Sequence, residues 1–420
     1  MQLSPARRIL ALFTLALGGF GIGTTEFATM GILPLAAAEL VPVFGTDPAQ
    51  GIAHAGWLIT AYALGVVVGA PLVSVWAARM SQRTLVLLLA AAFTVANLAS
   101  ALMPSFELTV LARFVAGLPH GAYFGVAALL AARIMGPGRQ GAGVALALSG
   151  LTIANIIGVP LGTWLGQVAG WRWTYVGVAV IFLLTLALAW LVLPHVAGDP
   201  TRSAKRELSA FRDPRLWLMI AVGCIGFGGF FAVYSYAAEI VTRVAQLPET
   251  AIPWLLATIG VGMTIGNVIG GWAADRSIRR TIQIAFPMLI ASLALFALLG
   301  WHPVALFALA FLVGGSGSVL NPTIQARIMR IAGDAELLGA ATNHAAFNVG
   351  NALGASLGGA VIAAGLGYLA PAWIGVALAA SGFALALWSL AVDRRPDTAA
   401  HHIVATVLGP TTAGIEVVDR

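Results

Sequence analysis

Apolar stretches long enough to cross a membrane recur along the whole chain, and they constrain its fold more than any other feature. Crossing ~30 Å of hydrocarbon takes about 20 helical residues. The windows of this length cover residues 9–35, 52–76, 84–103, 107–134, 142–167, 173–194, 216–242, 254–274, 281–300, 304–328, 337–364 and 372–392. Only 9% of the 420 residues are charged, against about 25% in soluble domains. The sequence therefore predicts an all-α integral membrane protein with twelve transmembrane helices.

Several functional classes are excluded by what the sequence lacks. The formal net charge is +6, but no basic patch with interleaved aromatic residues occurs, so we expect no nucleic-acid partner. No Gly-rich phosphate loop followed by Lys and Ser or Thr is present, so ATP does not drive the protein. No His and carboxylate cluster has metal-ligand spacing, and no serine has a base near it in the sequence. We expect no metal, no cofactor and no enzymatic activity.

Basic residues predict the orientation, because Lys and Arg in short loops remain cytoplasmic. With both termini inside, all but three of the 22 Lys and Arg residues fall on the cytoplasmic side. The exceptions are Arg113 within a span and Arg172 and Arg243 outside. An odd number of helices would scramble this segregation, so the charges support the count of twelve.

The longest polar stretch between spans follows the sixth window and divides the chain into two halves. We predict an N-terminal six-helix bundle at 1–194, a cytoplasmic linker at 195–215, a C-terminal six-helix bundle at 216–392 and a cytoplasmic tail at 393–420.

The two halves repeat one another in sequence. A shift of 197 positions places residues of the first half on identical residues of the second: Trp57 on Trp254, Gly65 on Gly262, Gly117 on Gly314, Arg83 on Arg280 and Arg133 on Arg330. Two six-helix halves in the same orientation form the parallel repeat of a rocking transporter, whose binding site lies near the midplane between the halves.

Four motifs carry a resemblance to a known family. The run from Gly271 to Arg280, GWAADRSIRR, resembles the G-x-x-x-D-R-x-G-R-R loop signature of the major facilitator superfamily. LARFVAGLPHGAYFG around Arg113 is similar to its helix-four motif, and GLTIANIIGVPLGTWLG to its helix-five antiporter motif. GIGTTEFATMGILP in helix one and NHAAFNVGNALG in helix eleven resemble the drug:proton antiporter branch, which includes bacterial arabinose and sugar efflux permeases.

The resemblance implies a major facilitator fold in the bacterial inner membrane, with both termini cytoplasmic. It implies a secondary active transporter that exports a small molecule, such as a drug or a sugar, in exchange for protons by alternating access. A proton-coupled uptake symporter and an uncoupled facilitator remain alternatives, and a membrane-embedded enzyme is a distant one. The expected partners are the small-molecule substrate, protons and the lipid bilayer, and we expect a monomer.

The resemblance also assigns residues to the conformational change. These residues lie in the two loop signatures and the helix-five motif: Arg79, Arg83, Asp275, Arg276, Arg280, Gly158 and Pro160. The first-half loop has Ala78 where the family has an aspartate. We therefore expect Asp275 to provide the main acidic contact that closes the cytoplasmic side.

Glu26 is the strongest candidate for proton coupling. An ionised carboxylate at the bilayer centre costs ~2.5–3.5 kcal/mol, so such a group faces a cavity and finds partners. Counting 1.5 Å per residue places Glu26 ~25 Å and Arg113 ~21 Å above the inner surface. The two residues form either a structural ion pair or part of a proton path, and we favour the path. His120, two turns below Arg113, either extends that path or is a packed histidine.

Aromatic and amide side chains on five helices are candidates for substrate binding. They are Tyr123, Asn155, Phe230, Tyr234, Tyr236, Asn321, His344 and Asn348. Spacings of four and three residues keep His344, Asn348 and Asn351 on one helical face. Each candidate also has a purely structural interpretation, as an aromatic packing residue or as an interhelical hydrogen bond worth ~0.6 kcal/mol on average.

Overall fold

A computed structural model describes residues 4–77, 80–136, 139–195, 209–332 and 336–392. Within these ranges the chain is helical and contains no β-strand. Eleven helical segments of the described chain are long and apolar enough to cross a membrane. The predicted all-α membrane architecture is confirmed.

One of these segments contains two membrane crossings. Glu249–Leu299 has 51 residues, which at 1.5 Å per residue would extend ~75 Å, more than twice the thickness of the hydrocarbon. Ser277 within it has φ −164° and ψ 98°, which is not helical. Ile265 before this residue and Met288 after it line the same groove, so the chain turns back at Ser277. The described helices therefore make twelve crossings, as predicted.

We number these crossings α1 to α12. The bounds are α1 Pro5–Leu40; α2 Pro48–Ala55 with Trp57–Ala77; α3 Gln82–Leu102; α4 Phe106–Gly117 with His120–Met135; α5 Gln140–Ile153, Ala154–Gly158 and Val159–Ala169; α6 Trp171–Val192; α7 Pro214–Tyr234, Ala237–Glu239 and Ile240–Val244; α8 252–276; α9 278–299; α10 Pro303–Ala332; α11 Glu336–Ala363; and α12 Ala370–Val392.

Short polar side chains set where several crossings begin. Ser81 accepts the backbone N–H of Thr84 at the start of α3, and Asp213 accepts that of Arg215 at the start of α7. Ser277 does the same for Arg280 at the start of α9. These caps satisfy backbone donors that a helix end leaves unpaired. Because Ser277 caps α9 directly, this single residue is enough to connect α8 to α9, where the sequence predicts a loop at 275–280.

Three crossings contain an interruption of regular α-helix. α4 breaks at Leu118 and Pro119, where the proline has no N–H to continue the helical ladder. The sequence predicts His120 in the middle of an unbroken helix, whereas it begins the second segment of α4. α5 contains a π-helical turn at Ala154–Gly158, and α7 contains another at Ile240–Val244. Such turns are frequent at functional sites.

The internal repeat is visible as matching helix packing. A Cβ atom on Gly65 of α2 would lie 2.1 Å from the carbonyl oxygen of Phe114 in α4, and one on Gly262 of α8 would lie 2.4 Å from that of Phe311 in α10. Each position in the second pair is the first shifted by 197. Glycine permits this close backbone approach in both halves, so α2–α4 and α8–α10 form equivalent helix pairs.

The two halves contact each other along two seams. Thr60 of α2 and Ser356 of α11 share a hydrogen bond of 3.2 Å between their hydroxyls. Gln167 of α5 donates to the carbonyl of Glu249, just before α8, at 2.8 Å. Both contacts lie toward the outer ends of their helices.

Both loop arginines on the predicted outer side form ion pairs. Arg172 pairs with Glu39, and Arg243 pairs with Glu239. Residues 196–208 of the predicted linker and 393–420 of the predicted tail lie outside the described residues. The boundaries of the two bundles, the linker and the tail therefore stay predictions.

Candidate transport site

Glu26 lies in the middle of α1 and contacts both halves of the protein. Only 3% of its surface is exposed. Its Oε2 atom is 3.9 Å from Nδ1 of His120 in α4, and Asn351 of α11 donates through Nδ2 to its Oε1 atom at 3.4 Å. Within the described chain it is the one carboxylate buried at this depth, since Glu239, also buried, lies near the outer end of α7.

His120 connects Glu26 to a tyrosine. The hydroxyl of Tyr62 in α2 lies 3.0 Å from Nδ1 of His120, the same nitrogen that faces Glu26. Which atom donates depends on whether Nδ1 carries a proton. Without a proton, Nδ1 accepts from the hydroxyl, and with one it donates. The ring of His120 also lies 5.9 Å from the ring of His344 in α11. One imidazole thus contacts a carboxylate, a phenol and a second imidazole.

Arg113 is buried completely, but its charge is not directed at Glu26. Its guanidinium donates to the hydroxyl of Thr25 at 2.9 Å, to the carbonyl of Thr25 at 3.0 Å and to the carbonyl of Leu58 at 3.4 Å. It lies between the rings of Tyr62 and Tyr175, at 4.5 and 4.9 Å from their centroids. Among the described residues no Glu26–Arg113 ion pair forms within 4.0 Å. The expected pairing is replaced by contacts to the residue that precedes Glu26.

Four residues complete this polar network: Thr25, Tyr62, Asn97 and Asn351. Thr25 donates its hydroxyl to Oδ1 of Asn97 in α3 at 2.6 Å while it accepts from Arg113. Except for Asn351, sequence reasoning did not single these residues out. A signal was available, because Tyr62 is the one tyrosine of its apolar window and Asn97 is the one amide of its window.

Three asparagines lie close together along α11. Asn343 donates to Oδ1 of Asn321 in α10 at 2.9 Å, and Asn348 donates to the backbone carbonyl of His344 at 3.1 Å. The side-chain carbonyl oxygens of Asn343, Asn348 and Asn351 are buried and have no hydrogen-bond partner. The ring of His344 stacks on Phe124 of α4 at 5.0 Å. The structure thus brings three predicted residues, His344, Asn348 and Asn321, to one region.

An aromatic cluster lies beside Glu26. Phe27 of α1 packs on Tyr234 of α7 at 5.6 Å between ring centroids, and Phe230 packs on Tyr234 at 5.1 Å. The hydroxyl of Tyr234 is buried without a hydrogen-bond partner. Phe230 and Tyr234, both predicted from the sequence, therefore lie together next to the carboxylate.

Three other predicted residues lie elsewhere. Tyr123 donates to the carbonyl of Leu15 at 3.1 Å and fills the space beside Gly18 within the first half. Tyr236 donates to the carbonyl of Ala355 and packs against Gly359 toward the outer end of α11. Asn155 is in the π-helical turn of α5. Its backbone carbonyl lies against Gly260 of α8, and its side-chain Oδ1 atom has no hydrogen-bond partner. The structure places these three in helix contacts and not beside Glu26.

The helix-five motif forms the contact of α5 with α1. A Cβ atom on Gly158 would lie 2.2 Å from the hydroxyl oxygen of Thr24, so only glycine fits there. Pro160 follows within the first turn of the last segment of α5, where its missing N–H is tolerated.

The loop-signature residues occupy different environments in the two halves. Arg83 donates to the carbonyl of Trp190 at the end of α6, whereas Arg276 lies 3.6 Å over the ring of Trp272. Asp275 and Arg280 are exposed, and neither side chain forms an ion pair within the described chain. Arg79 lies outside the described residues. The predicted role of Asp275 in closing the cytoplasmic side stays a prediction.

Twelve crossings, a parallel repeat and a buried polar network between the halves define a transporter of the alternating-access type. The chain matches the Major Facilitator Superfamily family model over residues 15–247 and 236–406. It belongs to this superfamily. It is a multi-pass membrane transporter, and not an enzyme.

Three relatives show how far the similarity extends. The inner membrane transport protein YdhP of Escherichia coli K12 is 36% identical over 388 residues, which cover 92% of this chain and 97% of the relative. The putative transporter AraJ of the same organism is 35% identical over 359 residues, covering 85% and 89%. The chloramphenicol resistance protein of Streptomyces lividans is 33% identical over 371 residues, covering 87% and 92%.

Proposed function

We propose that this protein exports a small molecule across the bacterial inner membrane in exchange for protons, with Glu26 as the proton carrier. The observation that carries the proposal is the position of Glu26, buried at the middle of α1 and in contact with His120 of one half and Asn351 of the other. A change of charge at this carboxylate alters a contact between the halves. Proton binding is thereby linked to the rocking motion.

His120 and Arg113 have different roles in this proposal. His120 lies within reach of Glu26 and Tyr62, so it passes the proton to or from the carboxylate. Arg113 holds Thr25, and with it the adjacent part of α1, and keeps Tyr62 in place through its contact with the ring. Arg113 is thus a positioning residue for the carboxylate and the tyrosine.

The chemistry around Glu26 indicates the class of substrate. Phe230 and Tyr234 offer an apolar surface beside the carboxylate. The unpaired side-chain oxygens of Asn348 and Asn351 and the unpaired hydroxyl of Tyr234 are buried, and such groups are costly without a partner. A ligand with an apolar body and several hydrogen-bond donors satisfies both features. The name of the Streptomyces relative supports a drug of this kind, and that of AraJ leaves a sugar open.

The direction of coupling separates export from the main alternative. The same carboxylate would serve an uptake symporter, whose substrate and proton move together. Antiport of a substrate supplied on one side of a sealed membrane moves protons toward that side. Symport removes protons from that side, and a facilitator moves none.

The test uses the purified full chain in sealed proteoliposomes that contain a pH-sensitive dye. We expect chloramphenicol or a related amphipathic drug to release protons from vesicles with wild-type protein. Glu26→Gln should abolish transport driven by a pH gradient while it preserves drug–drug exchange across the membrane, because the amide keeps the shape of the carboxyl group but cannot carry a proton.

A matched variant tests whether the loss of gradient-driven transport is specific to Glu26 or follows from the removal of any acidic group. Glu107→Gln removes an exposed carboxylate at the outer end of α4 and should leave both activities unchanged. Gradient-driven transport at the wild-type rate in Glu26→Gln would rule out Glu26 as the carrier. Loss of both activities in a folded Glu26→Gln protein would make Glu26 a structural residue only.

A further inference from the structure

A groove on the outside of the second half has no part in the transport site. It lies between α8, α9 and α10 and has a volume of about 490 Å³. Its walls include Ile265 and Ile269 of α8 and Ile284 and Met288 of α9, each with 44% to 59% of its surface exposed. The groove opens sideways, where a membrane protein meets the hydrocarbon chains of lipids.

The inner end of this groove differs chemically from the rest. Arg276 and Arg280 line it there, together with the hydroxyl-bearing residues Ser277 and Thr281. Arg276 lies flat on the ring of Trp272 at 3.6 Å and donates to the carbonyl of that residue at 3.1 Å. These contacts hold the guanidinium at the mouth of the groove, and both arginines are exposed.

The dimensions of the groove match one leaflet of a bilayer. From Gly262 to Arg276 its α8 wall rises by fourteen residue steps, which is ~21 Å of helix and somewhat more than half of the ~30 Å hydrocarbon. A molecule that fits must therefore carry an anionic group at the inner surface and an apolar chain that extends to the middle of the membrane. Basic pockets between helices on the cytoplasmic side bind anionic lipid head groups in this way.

We propose that this groove binds one anionic phospholipid of the inner leaflet, with an acyl chain along Ile269 and Ile265 and its phosphate between Arg276 and Arg280. The proposal is independent of the transported substrate and of proton coupling.

The neighbouring surface and the opposite half support this assignment. A second pocket on the other side of Ser277 is lined by Arg215, Arg279 and Arg330, with Asp213 as its one described acid. Arginines therefore outnumber Asp213 and the exposed Asp275 around Ser277. In the first half, Arg83 matches Arg280 in the repeat but donates to the carbonyl of Trp190. Arg83 is thus engaged by a helix end, whereas Arg280 lines the groove.

The test is native mass spectrometry of the purified full chain with dioleoyl phosphatidylglycerol or dioleoyl phosphatidylcholine. Wild-type protein should retain one phosphatidylglycerol in preference to phosphatidylcholine. Arg276→Gln/Arg280→Gln should bind it roughly ten-fold or more weakly, and Ile269→Trp should lose it as well, because the indole fills the groove. Arg133→Gln, which removes one exposed inner-surface charge from the first half, should bind like wild type.

Each other outcome overturns the proposal. Equal retention of the two lipids shows unselective annular lipid only. Loss in the arginine variant but not in Ile269→Trp shows a site for free phosphate, which inorganic phosphate added alone would then occupy. Retention that is unchanged in Arg276→Gln/Arg280→Gln removes the arginines from the site.

Arg276→Lys/Arg280→Lys should restore most of the binding, which excludes misfolding as the cause of a loss.

Discussion

The helix pairs α2–α4 and α8–α10 have the same backbone packing but carry opposite chemistry at the membrane centre. Gly65 and Gly117 in the first pair and Gly262 and Gly314 in the second allow equivalent close contacts. The repeat nevertheless places Ile259, Ala310 and Gly317 where the first half has Tyr62, Arg113 and His120.

This difference shows that a shared scaffold carries different side chains in the two halves. The first half supplies Glu26, Arg113 and His120, the groups to which we assign proton coupling. The second half supplies aromatic rings and amides, with Tyr234 and Asn348 as examples. A ligand between the halves would meet a charged network on one side and a neutral, adaptable surface on the other.

The largest effect should come from making the first half resemble the second at Arg113. Arg113→Ala copies Ala310 and removes the hydrogen bonds to Thr25. Two lost hydrogen bonds to a charged group amount to ~3 kcal/mol, and 1.36 kcal/mol is about tenfold in rate. We expect gradient-driven transport in proteoliposomes to fall at least about a hundred-fold.

Two further variants sharpen this test. Arg113→Lys keeps the charge but not the planar fork that bonds Thr25 while it lies between two aromatic rings, so it should also be strongly impaired. Ala310→Ser alters the matching position of the second half and should stay within about two-fold of wild type, as expected for a change of ~0.5 kcal/mol. Full activity in Arg113→Lys would show that only charge matters at this site.

A smaller effect is expected at Tyr62, which the repeat matches with Ile259. Tyr62→Phe keeps the ring under Arg113 and removes only the hydrogen bond to His120. A neutral hydrogen bond contributes ~1 kcal/mol, so the rate of gradient-driven transport should fall about five-fold. The initial rate in the dye assay measures it. Ile259→Val is the matched control, and an equal loss in both variants would make Tyr62 a packing residue.

The smallest effect should be found in the second half, at Tyr234. Its hydroxyl has no partner in the protein, so Tyr234→Phe should leave the free energy of unfolding within about 0.5 kcal/mol of wild type. The substrate KM should rise about two- to five-fold if the hydroxyl bonds the ligand.

For Tyr236→Phe we expect the opposite pattern, with a change in stability and none in KM. Its hydroxyl donates to the carbonyl of Ala355, so that variant should lower the thermal stability without changing KM. A KM that is unchanged in Tyr234→Phe would remove this tyrosine from the substrate site.

The fold could be predicted from the sequence because its determinants are long and redundant. Each crossing is set by about 20 apolar residues, and the segregation of all but three of the 22 Lys and Arg residues supports the same count independently. The joint at Ser277 was not predicted, since the six residues from Asp275 to Arg280 have the composition of a loop. One serine cap replaced that loop.

The candidate site could be predicted only in part, because counting residues gives the depth of a side chain but not the direction in which it points. Glu26 and His120 were identified by depth and do lie together. Arg113 lies at a similar depth but turns toward Thr25, and that depends on how the first segment of α4 is rotated about its axis. Tyr123 follows the break at Pro119 and points into the first half.

The joint at Ser277 has a consequence for how the protein enters the membrane. α8 and α9 are separated by a single non-helical residue. No connecting segment is therefore available to remain in the cytoplasm while only α8 is inserted. They must be integrated together as a helical hairpin during synthesis, and not one after the other. A stretch of inserted glycines after Ser277 would relax this requirement, and the order of membrane integration would then no longer be set by the chain itself.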